Sequence, residues 1–256
     1  NVTATYGAVA GGYANANNGK AGAIGGGWSN TVGLNYGVVG GGKINSNGGY
    51  ASAIGGGWSN TVASHYAVIA GGRHNSARFS AYAVVSGGYS NVNSGYAGSI
   101  GGGWSNTIDL KFGVVGGGRE NSNGGFASTI GGGWRNSVAS GYAVVAGGNG
   151  NTAAFAFGVV GGGFVNTNEG YAGFIGGGEA NTIAVKYGVV GGGRGNFNGG
   201  FAGIIGGGWA NTATSLYAVI AGGFSNTNIG YASALGGGHT NSATSRYAVV
   251  AGGKVN

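Results

Sequence analysis

Residues 54–69 read Ile-Gly-Gly-Gly-Trp-Ser-Asn-Thr-Val-Ala-Ser-His-Tyr-Ala-Val-Ile. A branched apolar residue, a small-residue triplet, an asparagine and a hydroxyl form a cassette that restarts at Ile69. The triplet opens at Ala10, Gly25, Gly40, Gly55, Ala70, Ser86, Gly101, Gly116, Gly131, Ala146, Gly161, Gly176, Gly191, Gly206, Ala221, Gly236 and Ala251. Every interval is 15 residues except the step from Ala70 to Ser86, which is 16 and places one extra residue near Arg78–Phe79. Self-similarity at a fixed period marks a repeat architecture, in which each repeat stacks on its neighbours.

Two columns run through all seventeen copies. The residue before the triplet is always branched and apolar, from Val9, Ile24 and Val39 to Leu235 and Val250. The sixth place, counting the triplet as one to three, is always asparagine, as at Asn30, Asn45, Asn60, Asn75, Asn91, Asn106, Asn121 and Asn136. A second period of 30 alternates Gly-Gly-Gly-Trp-Ser-Asn-Thr-Val coils (55–62) with Gly-Gly-Gly-Lys-Ile-Asn-Ser-Asn-Gly-Gly coils (40–49), and it loosens after residue 146.

Fifteen residues are too few for a helical repeat, and glycine disfavours helix by ~1 kcal/mol relative to alanine. Short β-branched runs between glycines read as strands joined by turns. The expectation is an all-β parallel β-solenoid of seventeen 15-residue coils. Strand pairing at ~4.8 Å per coil gives a rod on the order of 80 Å. The branched column becomes an aliphatic ladder, each side chain contributing ~1.5–3 kcal/mol on burial. The asparagines become an amide ladder, and the triplets supply corners that need φ > 0. The repeat runs into both termini, so residues 1–256 read as a single solenoid domain, uncapped at both ends. With no Met in the chain, that domain reads as a fragment or mature piece of a longer fibrous protein.

Composition narrows the class. Glycine supplies 68 of 256 residues, charged residues only 6%, and Cys, Met and Pro are absent. Hydrophobic residues reach 42%, enough for a core and unlike a disordered chain. Collagen needs Pro and Gly at every third residue. No apolar run reaches the ~20 residues that span a bilayer. That argues against membrane insertion, and the net charge of +7, spread evenly, argues against a nucleic-acid groove.

Segments such as Tyr66-Ala67-Val68-Ile69-Ala70-Gly71 and Tyr142-Ala143-Val144-Val145-Ala146-Gly147 resemble the Hep/Hag, or YadA-like head, repeats of trimeric autotransporter adhesins. The resemblance covers the whole chain and extends to Gly-rich repeats of phage tail fibres and other surface fibres. It implies a left-handed parallel β-roll, usually a homotrimer, displayed on a bacterial surface and used in adhesion.

No constellation of residues points to catalysis. The acids are Asp109, Glu120, Glu169 and Glu179, and no two are placed for acid–base work. His65, His74 and His239 occupy different columns and offer no convergent metal ligands. Gly37–Lys43 matches most of a phosphate-binding loop, but Ile44 replaces the hydroxyl residue and no helix is expected to follow. The reading is of a protein that is not an enzyme and needs no cofactor.

The place after the triplet carries Trp28, Lys43, Trp58, Arg73, Tyr89, Trp104, Arg119 and Trp134, continuing with Arg194, Trp209, Phe224, His239 and Lys254. All five tryptophans lie in this stripe. Neighbouring rings and cations are placed for cation–π pairs of ~0.5–1 kcal/mol. Three readings stay open: a contact between protomers or filaments, a stripe that binds glycan or another surface, and stacking within the chain. The leading function is a stiff extracellular surface fibre or adhesin head whose partner is itself, as a homotrimer or a filament, with a host-surface protein or glycan as a further partner. A self-assembling filament subunit or a tail-fibre shaft is the alternative. An ice-binding or glycan-binding solenoid is the alternative of another class, drawn from recurrent Asn-Thr pairs such as 60–61 and 181–182 that are interrupted at Ala16, Ser46, Val92 and Phe197.

Overall fold

The coil that begins at Gly40 shows how fifteen residues close on themselves. The N–H groups of Lys43, Ser46 and Gly48 donate forward to the carbonyls of Gly57 (2.9 Å), Asn60 (2.9 Å) and Val62 (2.7 Å) in the next coil. Those of Ile44 and Ala51 donate backward, to Trp28 (2.8 Å) and Asn35 (3.0 Å) of the coil before. The direction reverses at these two residues because each has a left-handed backbone, with φ of 56° and 48°, which turns the peptide over. Gly42, with φ of 90°, makes the remaining corner. Main-chain groups that a single coil cannot satisfy are thus shared between its two neighbours.

The computed structural model describes residues 1–256. It is an all-β parallel β-solenoid with no helix, so no helix is long and apolar enough to cross a membrane. The chain divides into two compact units, Asn1–Ala127 and Ser128–Asn256.

Strands in the first unit are two residues long. In the Gly40 coil they are Val38–Val39 just before the triplet and Ser46–Asn47 after it. Val38 pairs with Ala53 and Val39 with Ile54, while Ser46 pairs with Thr61 and Asn47 with Val62. A third line of pairing runs through Lys43 and Trp58. Successive residues of a strand face opposite ways, so each strand places one side chain inside and one outside. Val38 is 42% exposed and Val39 is fully buried. The inner column of this unit, Ile24, Val39, Ile54, Ile69, Val85, Ile100 and Val115, is the expected aliphatic ladder.

The second strand carries the 30-residue alternation. Its buried residue is apolar in one coil and asparagine in the next, as in Val32, Asn47 and Val62 or Asn93, Ile108 and Asn123. Asn47 is buried without cost because its amide is fully engaged. Nδ2 donates to the carbonyls of Val38 (3.0 Å) and Ser52 (2.9 Å), and Oδ1 accepts from the N–H of Gly49 (3.2 Å). The side chain therefore holds the turn between the two strands.

The extra residue is absorbed in that same turn. Ala77 pairs with Val62 at a 15-residue offset and with Asn93 at 16, and Val85 pairs with Ile69 and Ile100. Both strand registers survive. Phe79 takes a left-handed φ of 71° and stands 83% exposed, with the Arg78 guanidinium 5.2 Å from its ring.

The second unit repeats the plan. Val144, Val159, Phe174, Val189, Ile204 and Val219 pair in sequence one coil apart. Inside, Ile130, Val145, Val160, Ile175, Val190, Ile205, Ile220 and Leu235 continue the aliphatic column, at 0–1% exposure. Asn168, Asn198 and Asn228 hold turns as Asn47 does.

Candidate functional site

The stripe residues come together as the sequence predicts in position. Trp28, Lys43, Trp58, Arg73, Tyr89, Trp104 and Arg119 pair one after another in the first unit. In the second unit Trp134 is followed by Asn149, Phe164, Glu179, Arg194, Trp209, Phe224, His239 and Lys254. The pairing residue of each coil is flanked by corners, so its side chain points outward.

Cations and rings then interleave along the column. Lys43 Nζ lies 4.7 Å from the Trp28 ring centre and 5.5 Å from that of Trp58. The Arg73 guanidinium lies 4.0 Å from Trp58 and 5.7 Å from Tyr89. Arg119 sits 4.6 Å from Trp104, whose other neighbour, Tyr89, meets it edge-on at 5.6 Å. In the second unit Arg194 lies 5.7 Å from Trp209 and 3.4 Å from the Glu179 carboxylate. A cation over a ring centre occupies the ring's negative face. The tryptophans thus contact neighbouring coils while staying about half exposed.

The asparagine ladder has a geometry different from a file of amides bonding only one another. Asn60 Oδ1 accepts from the backbone N–H of Asn75 (2.9 Å), and its Nδ2 donates to Gly56 O and Gly72 O, each at 2.9 Å. The same set recurs at Asn30, Asn45, Asn75, Asn91 and Asn106, while Asn121 and Asn136 also donate to triplet carbonyls. Amide-to-amide bonds are added only at some steps, such as Asn45 to Asn30 and Asn91 to Asn75, both 3.1 Å. The ladder chiefly ties side chains to the carbonyls of the Gly triplets.

The aromatics that recur at most repeat starts, such as Tyr36, Tyr50, Tyr66, Tyr82 and Tyr96, form a second column. It stands at the turn before the outer strand, one ring per coil, alternating between adjacent places in the chain. In the first unit Tyr36, Tyr50, Tyr66, Tyr82, Tyr96, Phe112 and Phe126 follow at 5.1–5.8 Å between ring centres. In the second, Tyr142 to Tyr247 follow at 5.2–6.0 Å. Most contacts are edge-to-face, the geometry the ring quadrupole favours. Tyr66–Tyr82 and Tyr142–Phe157 stack flat instead, at the two steps where the 30-residue alternation skips. From Tyr36 onward the rings keep one per coil while alternating between adjacent places in the chain; the preceding coil has Lys20-Ala21 there instead.

Two further outward columns complete the surface. One is rich in hydroxyls, with Thr152, Thr167 and Thr182 paired in series before Phe197. The other is the aliphatic outer column that contains Val38 and Phe174. The histidines lie apart: His65 Nδ1 accepts from Tyr50 N–H (3.1 Å), His74 lies 6.1 Å from Trp58, and His239 stacks on Phe224. No group of three His, Asp or Glu side chains lies together to hold a metal ion. No protein-family model matches the chain, and no curated protein matches it either.

Proposed function

We propose that the chain is a structural and adhesive protein of the cell exterior, a stiff fibre or adhesin-head segment that associates with copies of itself. The observation that carries this reading is the asparagine ladder. Each unit is cross-tied from coil to coil by buried side chains, and each coil places its outward residues in the same columns as its neighbours. Such a body suits length, stiffness and repeated weak contacts, and it builds no single site that a catalyst would need. The resemblance of segments such as 66–71 to Hep/Hag repeats supports the same reading.

Electron microscopy of the native assembly tests it, together with retention of the purified chain on glycan- and protein-coated surfaces. Bundled or multi-stranded rods that bind such a surface are expected. Isolated particles that neither associate nor bind would overturn the reading.

The run Thr152, Thr167 and Thr182 favours one second reading, an ice-ordering face. Phe197 ends that run, and the column is one residue wide. Thermal hysteresis of the purified chain decides this point, and zero activity removes it.

A further inference from the structure

The charges are distributed by face. None of the 11 Lys and Arg or the 4 Asp and Glu falls in the outer column, the inner column or the Gly triplet of any coil. They stand in the stripe, in the place after it, or in the turn that carries the rings. One side of the coil is thus free of charge in a chain of net charge +7.

In the second unit that side is apolar. Val144, Val159, Phe174, Val189, Ile204 and Val219 form its outer column, with Phe174 45% and Ile204 43% exposed. Beside them the middle glycine of each triplet raises no side chain. A Cβ at Gly192 would come no nearer than 4.0 Å to any neighbour, one at Gly207 no nearer than 3.9 Å, and one at Gly222 would meet nothing. None of these three has a left-handed backbone. At these three coils nothing inside excludes alanine, whereas their equivalents Gly132, Gly162, Gly177 and Gly237 have φ of 138–155°, which favours glycine. The missing side chain in each of these places leaves a flat shoulder beside the outer column.

We infer that this face, the outer column with its flat glycine shoulder, is where a second copy of the chain docks. The inference rests on the self-association proposed above and assigns its surface. Three arguments select a copy as the occupant. The second unit's stripe carries charge at Glu179, Arg194 and Lys254, which two copies meeting there would have to desolvate, whereas on this face they meet without any. The face repeats every coil, and only a partner with the same ~4.8 Å spacing stays in register along it. The area suffices as well. Nine coils at ~4.8 Å, by a strip about four residues wide at ~3.3 Å each, give roughly 550 Å² a side. That is about 1,100 Å² in total, above the ~1,000 Å² a specific interface clears.

The test measures association of the full chain by sedimentation velocity over a concentration series. Phe174→Lys with Ile204→Lys sets like charges face to face and weakens association about a hundredfold. Two milder pairs keep the fold beyond question: Phe174→Thr with Ile204→Thr, in a column that already holds Thr129, and Gly192→Ala with Gly207→Ala. Each weakens association about tenfold with an unchanged circular dichroism spectrum. The control pair Thr182→Lys with Thr212→Lys, on the hydroxyl column, leaves association unchanged. Association that survives all three pairs overturns this face and spares the proposed self-association. A native chain that stays monomeric throughout overturns both.

Discussion

The Oδ1 atom of Asn60 accepts the backbone N–H of Asn75 at 2.9 Å, one coil further on. That bond fixes the coil-to-coil register at a corner, where no strand pairing exists to do so. It also explains why only asparagine serves. The site needs an acceptor for the next coil's N–H and two donors for Gly56 O and Gly72 O, which a short carboxamide supplies and neither a hydroxyl nor a carboxylate does.

Replacing Asn60 with Ala, at a fully buried position, removes the side-chain partner of the Asn75 N–H and of Gly56 O, while Gly72 O keeps the Trp58 N–H. Unpaired buried groups cost ~1–3 kcal/mol each, so Asn60→Ala lowers the thermal midpoint and opens the neighbouring coils to protease. Asn60→Asp is the more damaging change, because it removes both donors and sets a carboxylate against two carbonyls. A milder effect for Asp than for Ala, by melting and limited proteolysis, would contradict this account.

Adjacent glycines of one triplet should respond oppositely. Gly57 has φ of 93°, and a Cβ on it would lie 2.1 Å from Gly72 O, so Gly57→Ala must break the pairing to the next coil. Gly56 has no left-handed backbone and faces open space, its nearest neighbour being Gly41 O at 4.0 Å. Gly56→Ala therefore changes stability by less than ~1 kcal/mol. Comparable losses for the two, measured by chemical denaturation, would show that the corner is not set by these contacts.

Much of this was legible from the sequence, and the reasons are physical. The 15-residue cassette fixes the coil, and the column before the triplet had to be internal because a two-residue strand has one inward place. The Asn column was visible too, but its hydrogen-bond partners were not, since they are main-chain carbonyls of the triplets. Asn47 and its relatives were missed as core residues because a buried asparagine between valines looks polar and loop-like until its turn is built. The recurring aromatics, such as Tyr36 and Tyr50, were visible, but their mutual edge-on contacts were not, because the rings alternate between adjacent places in the chain. The charge-free face emerges only once the coil is closed, because its residues span the end of one cassette and the start of the next.

Deleting Phe79 should be tolerated. The strands on either side keep their partners across the 16-residue coil, and Phe79 is a bulky exposed side chain at a left-handed φ. A non-glycine residue there costs ~1–2 kcal/mol. Removing it restores the 15-residue turn found in the other coils, and the thermal midpoint is expected to hold or rise by a few degrees. A deletion that unfolds the first unit, seen by circular dichroism, would mean that the extra residue is needed to pass the phase skip at Tyr66–Tyr82.

The stripe is open to a double-mutant cycle on Trp58 and Arg73, whose guanidinium lies 4.0 Å from the ring centre. An exposed cation–π pair is worth ~0.5–1 kcal/mol, and the cycle should return a coupling of that size from Trp58→Leu, Arg73→Gln and the double variant. Lys43 approaches the same ring at 5.5 Å, so Lys43→Gln should couple to Trp58 more weakly than Arg73 does. Oligomeric state should be the same in all of these variants, because the stripe is satisfied within one chain. Dissociation of the assembly on losing Trp58 alone would instead make the stripe the protomer contact and remove that role from the face that holds Phe174 and Ile204.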